Sequence, residues 1–256
     1  MKLNPKDGYT ITVPKKTFKH SGDLGDIIFS LPTIRELGGG ILFLDPNGGE
    51  SEPLIDWGDG RFTRTKLTKD SIDGIKPLLE LQDYIEEVRY WNGESVDFNL
   101  DRFREHVVFN NLSDSHLATC NLPISVRDEK WLSVPSALPA IDGKTIALAR
   151  SCRYHGNYSF WEGLDKDIVE KAFFLGWERE YEYFVYTFPH MAEVPRLTVE
   201  SLLEMAQILE GVELFIGNQG LPHAIAEALK RPLINEVFRA GPGPAAIFKR
   251  EGAEYV

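Results

Sequence analysis

Cysteine is scarce in this chain. Cys120 and Cys152 are its two cysteines and form no C-x-x-C pair. A disulfide framework is excluded, and a reducing cytoplasm is the expected setting. Positive charge is also in short supply. Against 39 Asp and Glu stand 28 Lys and Arg, for a formal net charge of −11 and a pI of about 5.1. Such a surface does not attract nucleic acid non-specifically, so a polyanionic partner needs a local basic patch. Long apolar runs are missing too: none approaches the roughly 18 residues of a membrane helix. The opening MKLNPKDGYTITVPKK lacks the apolar core of a signal peptide, and no solenoid-type repeat is present. These absences predict a soluble cytoplasmic protein, with no membrane insertion.

What is present reads as a globular α/β chain. Hydrophobic residues make up 43% and charged residues 26% of 256 positions, enough to bury a core in one large or two small domains. Thr17–His20 is an extended run. Asp26–Leu37 carries Ile27, Ile28, Leu31, Ile34 and Leu37 at helical spacing, with Pro32 expected to kink or shorten the helix. Gly38-Gly39-Gly40 stops it and Ile41–Leu44 reads as a buried strand. That order is a βαβ opening and predicts a parallel sheet. Residues 46–66 read as a long loop, Ser71–Leu81 as a helix and Glu87–Trp91 as a strand; Asp97–Arg104 alternates Phe98, Leu100 and Phe103. SVPSALPAIDG, residues 133–143, is the best linker. The pattern then restarts: strand Thr145–Ala149, helix Ile168–Leu175, strand Tyr183–Thr187, helix Ser201–Leu209, strand Val212–Ile216, helix Pro222–Lys230 and strand Leu233–Val237. Two facing Rossmann-like domains with parallel sheets are predicted, residues 1–135 and 144–256, with the C-terminal tail packing back on the first. Ligands of such sheets bind beyond the carboxyl ends of the strands, which points to the cleft between the halves.

Two stretches flank that cleft. HSGDLGDIIFSLPTIREL, residues 20–37, sets two Gly-Asp pairs before an apolar helix. An acid there reads as an N-cap, worth about 1 kcal/mol, or as an active-site carboxylate. GNQGLPHAIAEALK, residues 217–230, turns from a strand into a helix that begins near Pro222. Free N–H groups and the positive dipole end make such a start an anion seat. Gly220 permits close approach of a phosphate, and His223 lies in the first turn as a donor. The same residues also read as a plain βα turn with a surface histidine.

Together the two stretches resemble glycosyltransferase family nine, the heptosyltransferase-like enzymes of GT-B fold. Gly25-Asp26-Ile27-Ile28 with Leu31-Pro32 is similar to the family's N-terminal Gly-Asp and Leu-x-x-x-Pro-like helix. Gly217-Asn218-Gln219-Gly220-Leu221-Pro222-His223-Ala224 is similar to its Gly-x-Asp-x-Gly-x-x-His. The match leaves residues 45–135 largely uncovered, and the chain is short for the family, like trimmed-down phage and marine bacterial relatives. Its turn is one residue shorter, Gln219 replaces an acid, and Ser159 fills a Lys position two residues before Trp161.

The resemblance implies an inverting, metal-independent transferase with a nucleotide sugar as co-substrate and no other cofactor; no D-x-D metal motif stands in a suitable context. It implies Asp26 as the base, with Asp23 as cap or second acid and Ser21, Gly22 and Gly25 on the acceptor side. The diphosphate would be held by Gly217, Asn218, Gln219, Gly220 and His223. Arg150 and Arg153, beyond the carboxyl end of TIALA, suit bidentate phosphate recognition. His155, Tyr158 and Trp161 add donors and stacking faces, and Glu236 a ribose contact. Cys152 reads as structural. The acceptor is a glycan, a small molecule or modified DNA. For phage-type glycosylation of hydroxymethylated bases, Lys2, Lys6, Lys15, Lys16, Lys19, Arg61, Arg64, Lys66 and Lys69 form the basic rim. A GT-B module that binds without turnover is a further reading, prompted by Gln219 and Ser159. A NAD-dependent enzyme fits worse, because SGDLGDI lacks G-x-G-x-x-G spacing and Asp26 would repel the pyrophosphate.

Overall fold

The computed structural model describes residues 15–48, 67–105, 111–238 and 246–256. Two parallel sheets organise it. The first runs β3-β2-β1-β4, from β1 (Lys16–His20), β2 (Gly40–Leu44), β3 (Ile85–Tyr90) and β4 (Phe98–Asn99). Helices α1 (Leu24–Glu36) and α2 (Lys69–Glu80) supply its crossovers. Then come a 3-10 turn, Leu100–Glu105, and α3 (Leu112–Thr119). The second sheet runs β10-β9-β8-β5-β6-β7, from β5 (Ile146–Ala149), β6 (Ala172–Leu175), β7 (Arg196–Leu197), β8 (Leu214–Asn218), β9 (Leu233–Glu236) and β10 (Ala253–Tyr255). Helices α4 (Tyr158–Glu162), α5 (Lys166–Glu170), α6 (Glu178–Thr187), α7 (Leu202–Gly211) and α8 (Leu221–Ala228) connect it. The α/β class with two parallel sheets is the one the sequence predicts.

Two assignments are reversed. Residues 172–175 form β6 rather than the end of a helix, and 183–187 belong to α6 rather than to a strand. Ala172-Phe173-Phe174-Leu175 is buried at every position. A strand covered on both faces reads as a continuous apolar run, which periodicity does not separate from helix. In α6 the alternating aromatics mimic a strand, but Phe184 faces the core while Tyr186 is exposed. Glu180 accepts from the Trp177 N–H at 3.0 Å and closes the helix start.

Helix α1 runs through Pro32. Proline cannot donate to the carbonyl four residues back, that of Ile28. The indole Nε1 of Trp131 donates to it instead, at 3.1 Å. The helix stops at Gly38 to Gly40, all at positive φ. A Cβ on Gly39 would lie 2.2 Å from the Tyr84 carbonyl oxygen.

The halves share one apolar core. Phe18, Ile28 and Leu78 from the first belong to the same buried cluster as Phe215, Ala224 and Leu233 from the second. Helix α1 packs on α8, and α2 on α7. The expected linker is a packed strap: Ser133 N–H donates to Gln82 Oε1 at 2.8 Å and Leu138 N–H to the Gln207 carbonyl at 3.0 Å. The tail does two jobs. Ala246 bridges Asn111 and Phe248 stacks on Phe29 at 5.3 Å, and then β10 joins β9. No described helix is long and apolar enough to cross a membrane.

Candidate active site

The carboxyl ends of the first sheet form one wall. After β1 the chain turns sharply into α1. Ser21 N–H donates to Asp101 Oδ1 at 2.7 Å, and Gly22 N–H to His20 Nδ1 at 2.8 Å. A Cβ on Gly22 would lie 2.5 Å from His20 Cε1 and 2.6 Å from Asp26 Oδ2, so the turn needs glycine here. Asp23 opens α1, and its N–H donates to Asp26 Oδ2 at 3.3 Å. The same oxygen lies 2.9 Å from Nη2 of Arg104, a half-exposed side chain, while Asp26 keeps 14% exposure. Lys19 Nζ reaches Asp101 at 2.7 Å and Asp45 at 3.1 Å and lies 4.7 Å over the Trp91 ring. Burial raises the Asp101 carboxyl, but His20, Lys19 and the Ser21 N–H outweigh it and hold it below its usual value. His116 is fully buried and stacked on Phe103 at 4.2 Å; burial, helped by the charge of neighbouring residues, keeps it well below its usual value and so neutral.

The second wall comes from the loop after β5 and the start of α8. Asn218 Oδ1 accepts from Ser151 N–H at 2.8 Å, and its Nδ2 donates to the Arg153 carbonyl at 2.6 Å. Ser151 Oγ donates to the Gln219 carbonyl at 3.1 Å. No side chain caps α8 at Gly220. The walls touch where the Cβ position of Gly25 lies 3.8 Å from Ala224 Cβ, so the N-terminal ends of α1 and α8 are neighbours. Arg153 Nη2 stands 3.6 Å from Asp23 Oδ2 across the junction.

No protein-family model matches the chain, and no curated protein matches it. Solved structures do. A family-nine glycosyl transferase from Veillonella parvula superposes with a TM-score of 0.62 at 11% identity, covering 94% of this chain and 85% of that one. E. coli heptosyltransferase WaaC with ADP-2-deoxy-2-fluoro heptose gives 0.53 at 10% identity, covering 95% and 93%. E. coli ADP-heptose lps heptosyltransferase II gives 0.54 at 11%, covering 95% and 90%. The fold is GT-B-like.

In this GT-B-like frame several expected ligand contacts lie inside the second half. Arg150 and Glu236 are a buried pair, Nε–Oε2 2.8 Å and Nη2–Oε1 3.1 Å. Glu236 also accepts from the Gly156 and Asn157 amides and from Trp161 Nε1 at 2.8 Å. Burial works against the charged Glu236, but these partners together lower its pKa. Arg150, expected at a diphosphate, and Glu236 and Trp161, expected at a nucleoside, are thus buried against one another. His223 is buried as well. It points from α8 toward Phe29 and Phe248, and burial, with a smaller push from Arg250, drops its pKa to about 3. Asn218 is spent on the 151–153 loop, and Gly217 packs without room for a Cβ, 2.5 Å from Phe215 Cζ.

Arg153, Gln219 and Gly220 remain partly exposed beside the junction, and Tyr158 is exposed. His155 stacks on Tyr183 at 5.6 Å, with burial lowering its pKa. Burial, with Glu180, pushes the Cys152 thiol up to about 12, so it stays protonated. The basic rim does not assemble from the described residues: Lys15 pairs with Glu86, Lys16 donates to the Leu37 carbonyl, Lys19 is held by two acids, and Lys69 lies over Tyr90 at 5.8 Å. Lys2, Lys6, Arg61, Arg64 and Lys66 lie outside the described residues. Sequence reasoning missed Asp101, Arg104 and Ser151. Their signal was position, since each follows the carboxyl end of a strand.

Proposed function

We propose that this chain transfers a sugar from a nucleotide-sugar donor to an acceptor hydroxyl, with Asp26 as general base. The carrying observation is the meeting of two helix starts. That of α1 bears Asp23 and Asp26, while that of α8 is uncapped beside Ser151 and Arg153. The acidic start repels phosphate, and the uncapped one attracts it. The donor diphosphate is assigned to Gly220, Ser151 and Arg153, and the acceptor to the first half. The WaaC structure holds ADP-2-deoxy-2-fluoro heptose on the same fold, which supports a nucleotide sugar as the ligand class. Asp26 takes the hydroxyl proton as the oxygen attacks the anomeric carbon, and the bond to the diphosphate breaks in the same inverting displacement. The α8 N–H groups and Arg153 stabilise the departing charge, with no metal ion in this proposal.

A panel of nucleotide sugars, screened with acceptors from simple glycans to hydroxymethylated duplex DNA, tests this. The matching donor should raise the melting temperature of wild type and of Asp26→Asn alike. Transfer by Asp26→Asn should fall by about 100-fold or more. Undiminished transfer removes Asp26 as base; donor binding without any transfer by wild type favours a non-catalytic module.

A further inference from the structure

In nucleotide-binding sheets the turn after the first strand offers successive backbone N–H groups to a phosphate. In this chain Ser21 and Gly22 have given theirs to Asp101 and His20. Asp101 lies 80 residues away in sequence, on the 3-10 turn Leu100–Glu105. Lys19 neutralises its other oxygen at 2.7 Å. Ser21 and Gly22 are buried, so without this acceptor the Ser21 N–H would be left unpaired away from water. The turn has no slack above it either, because a Cβ on Gly22 would lie 2.6 Å from Asp26 Oδ2.

We propose that Asp101 is the positioning residue of the base: its carboxylate occupies the place of a phosphate in the β1–α1 turn, and by holding Ser21 it fixes where the Asp26 carboxylate stands. This rests on the transferase reading above. Asp101 touches neither donor nor acceptor in this scheme and acts through the turn. Arg104, three residues further along the same 3-10 turn, adds a direct hold on Asp26 Oδ2.

The test compares Asp101→Gly with Asp101→Asn in the full chain. The asparagine keeps an oxygen for the Ser21 N–H, whereas the glycine leaves a gap the size of a small carboxylate. Displacing the base should cut kcat of Asp101→Gly by about 100-fold while donor KM stays within about twofold. Asp101→Asn should lose about tenfold or less, and added formate should restore Asp101→Gly by about tenfold but leave Asp26→Asn dead. Wild-type kcat in Asp101→Gly overturns the proposal, as does an equal loss in both variants that formate does not repair. The transferase reading fails separately, by absence of transfer in wild type. Asp101 is then judged by amide exchange: Ser21 should exchange about tenfold faster in Asp101→Gly and slow again with formate. Unchanged exchange refutes the assignment.

Discussion

Glu236 accepts two hydrogen bonds from Arg150, one from Trp161 and two from the amides of Gly156 and Asn157. Tyr158 and Phe188 flank the guanidinium at 4.8 and 5.1 Å. Such a pair is costly to break from one side, because the remaining charge stays buried. Glu236→Gln should therefore destabilise the protein by about 3 kcal/mol, read from urea unfolding midpoints, without removing any group that faces the junction. At this scale the sequence is readable for residue type and poor for direction. Arg150 and Arg153 both follow β5, yet the first turns inside to Glu236 and the second stands beside Asp23. His223 sits one residue after Pro222 in a helix start, but its ring turns away from the free N–H groups and into the aromatic cluster.

A proline in the middle of a buried helix leaves a carbonyl that needs an outside donor, and α1 finds one in Trp131. Trp131→Phe keeps most of the ring packing and removes only the indole N–H. It should cost about 1–3 kcal/mol, because the Ile28 carbonyl is left buried and unpaired. A loss well under that, measured by thermal unfolding, would show that α1 tolerates Pro32 unaided. Helices α2 and α7 keep a wet face, so their periodicity survives, while α1 and α8 are buried through Ile27–Ile34 and His223–Ala228 and were legible from the Gly38-Gly39-Gly40 stop and the Pro222 start; all four fall within a few residues of expectation. The misreadings cluster at β6 and α6, where aromatic residues serve both faces. Helix α3 escaped notice because its buried residues include Ser113, Asp114, Ser115 and His116, so no apolar stripe marks it. The two motifs at the candidate site were legible as a strand, a turn and a helix start. The 3-10 turn that completes its first wall was not, because its contact with Ser21 spans 80 residues.

At the scale of the whole molecule, the packed contact of α1 on α8 is apolar and encloses a neutral histidine. His223 would take its proton near 6.5 when unfolded and at about 3 when folded. Between those values the unfolded chain binds the extra proton, so stability is intact above about 6.5 and drains away as the pH falls toward 3. His116, also buried and neutral, acts in the same direction. Urea midpoints at pH 7, 5 and 4 should fall steadily in wild type and less steeply in His223→Leu; parallel slopes would show that this ring does not titrate on unfolding. The tail lies close to that histidine. It leaves the second sheet, touches Asn111 and Phe29 in the first half through Ala246 and Phe248, and comes back to pair with β9. The halves are consequently not interchangeable modules. A chimera that grafts this second half onto the first half of another GT-B-like protein would import Phe248 without its aromatic seat and leave the Ala228 carbonyl without the Trp131 N–H it accepts from, so a working exchange has to move the crossing segments along with the sheet they stitch.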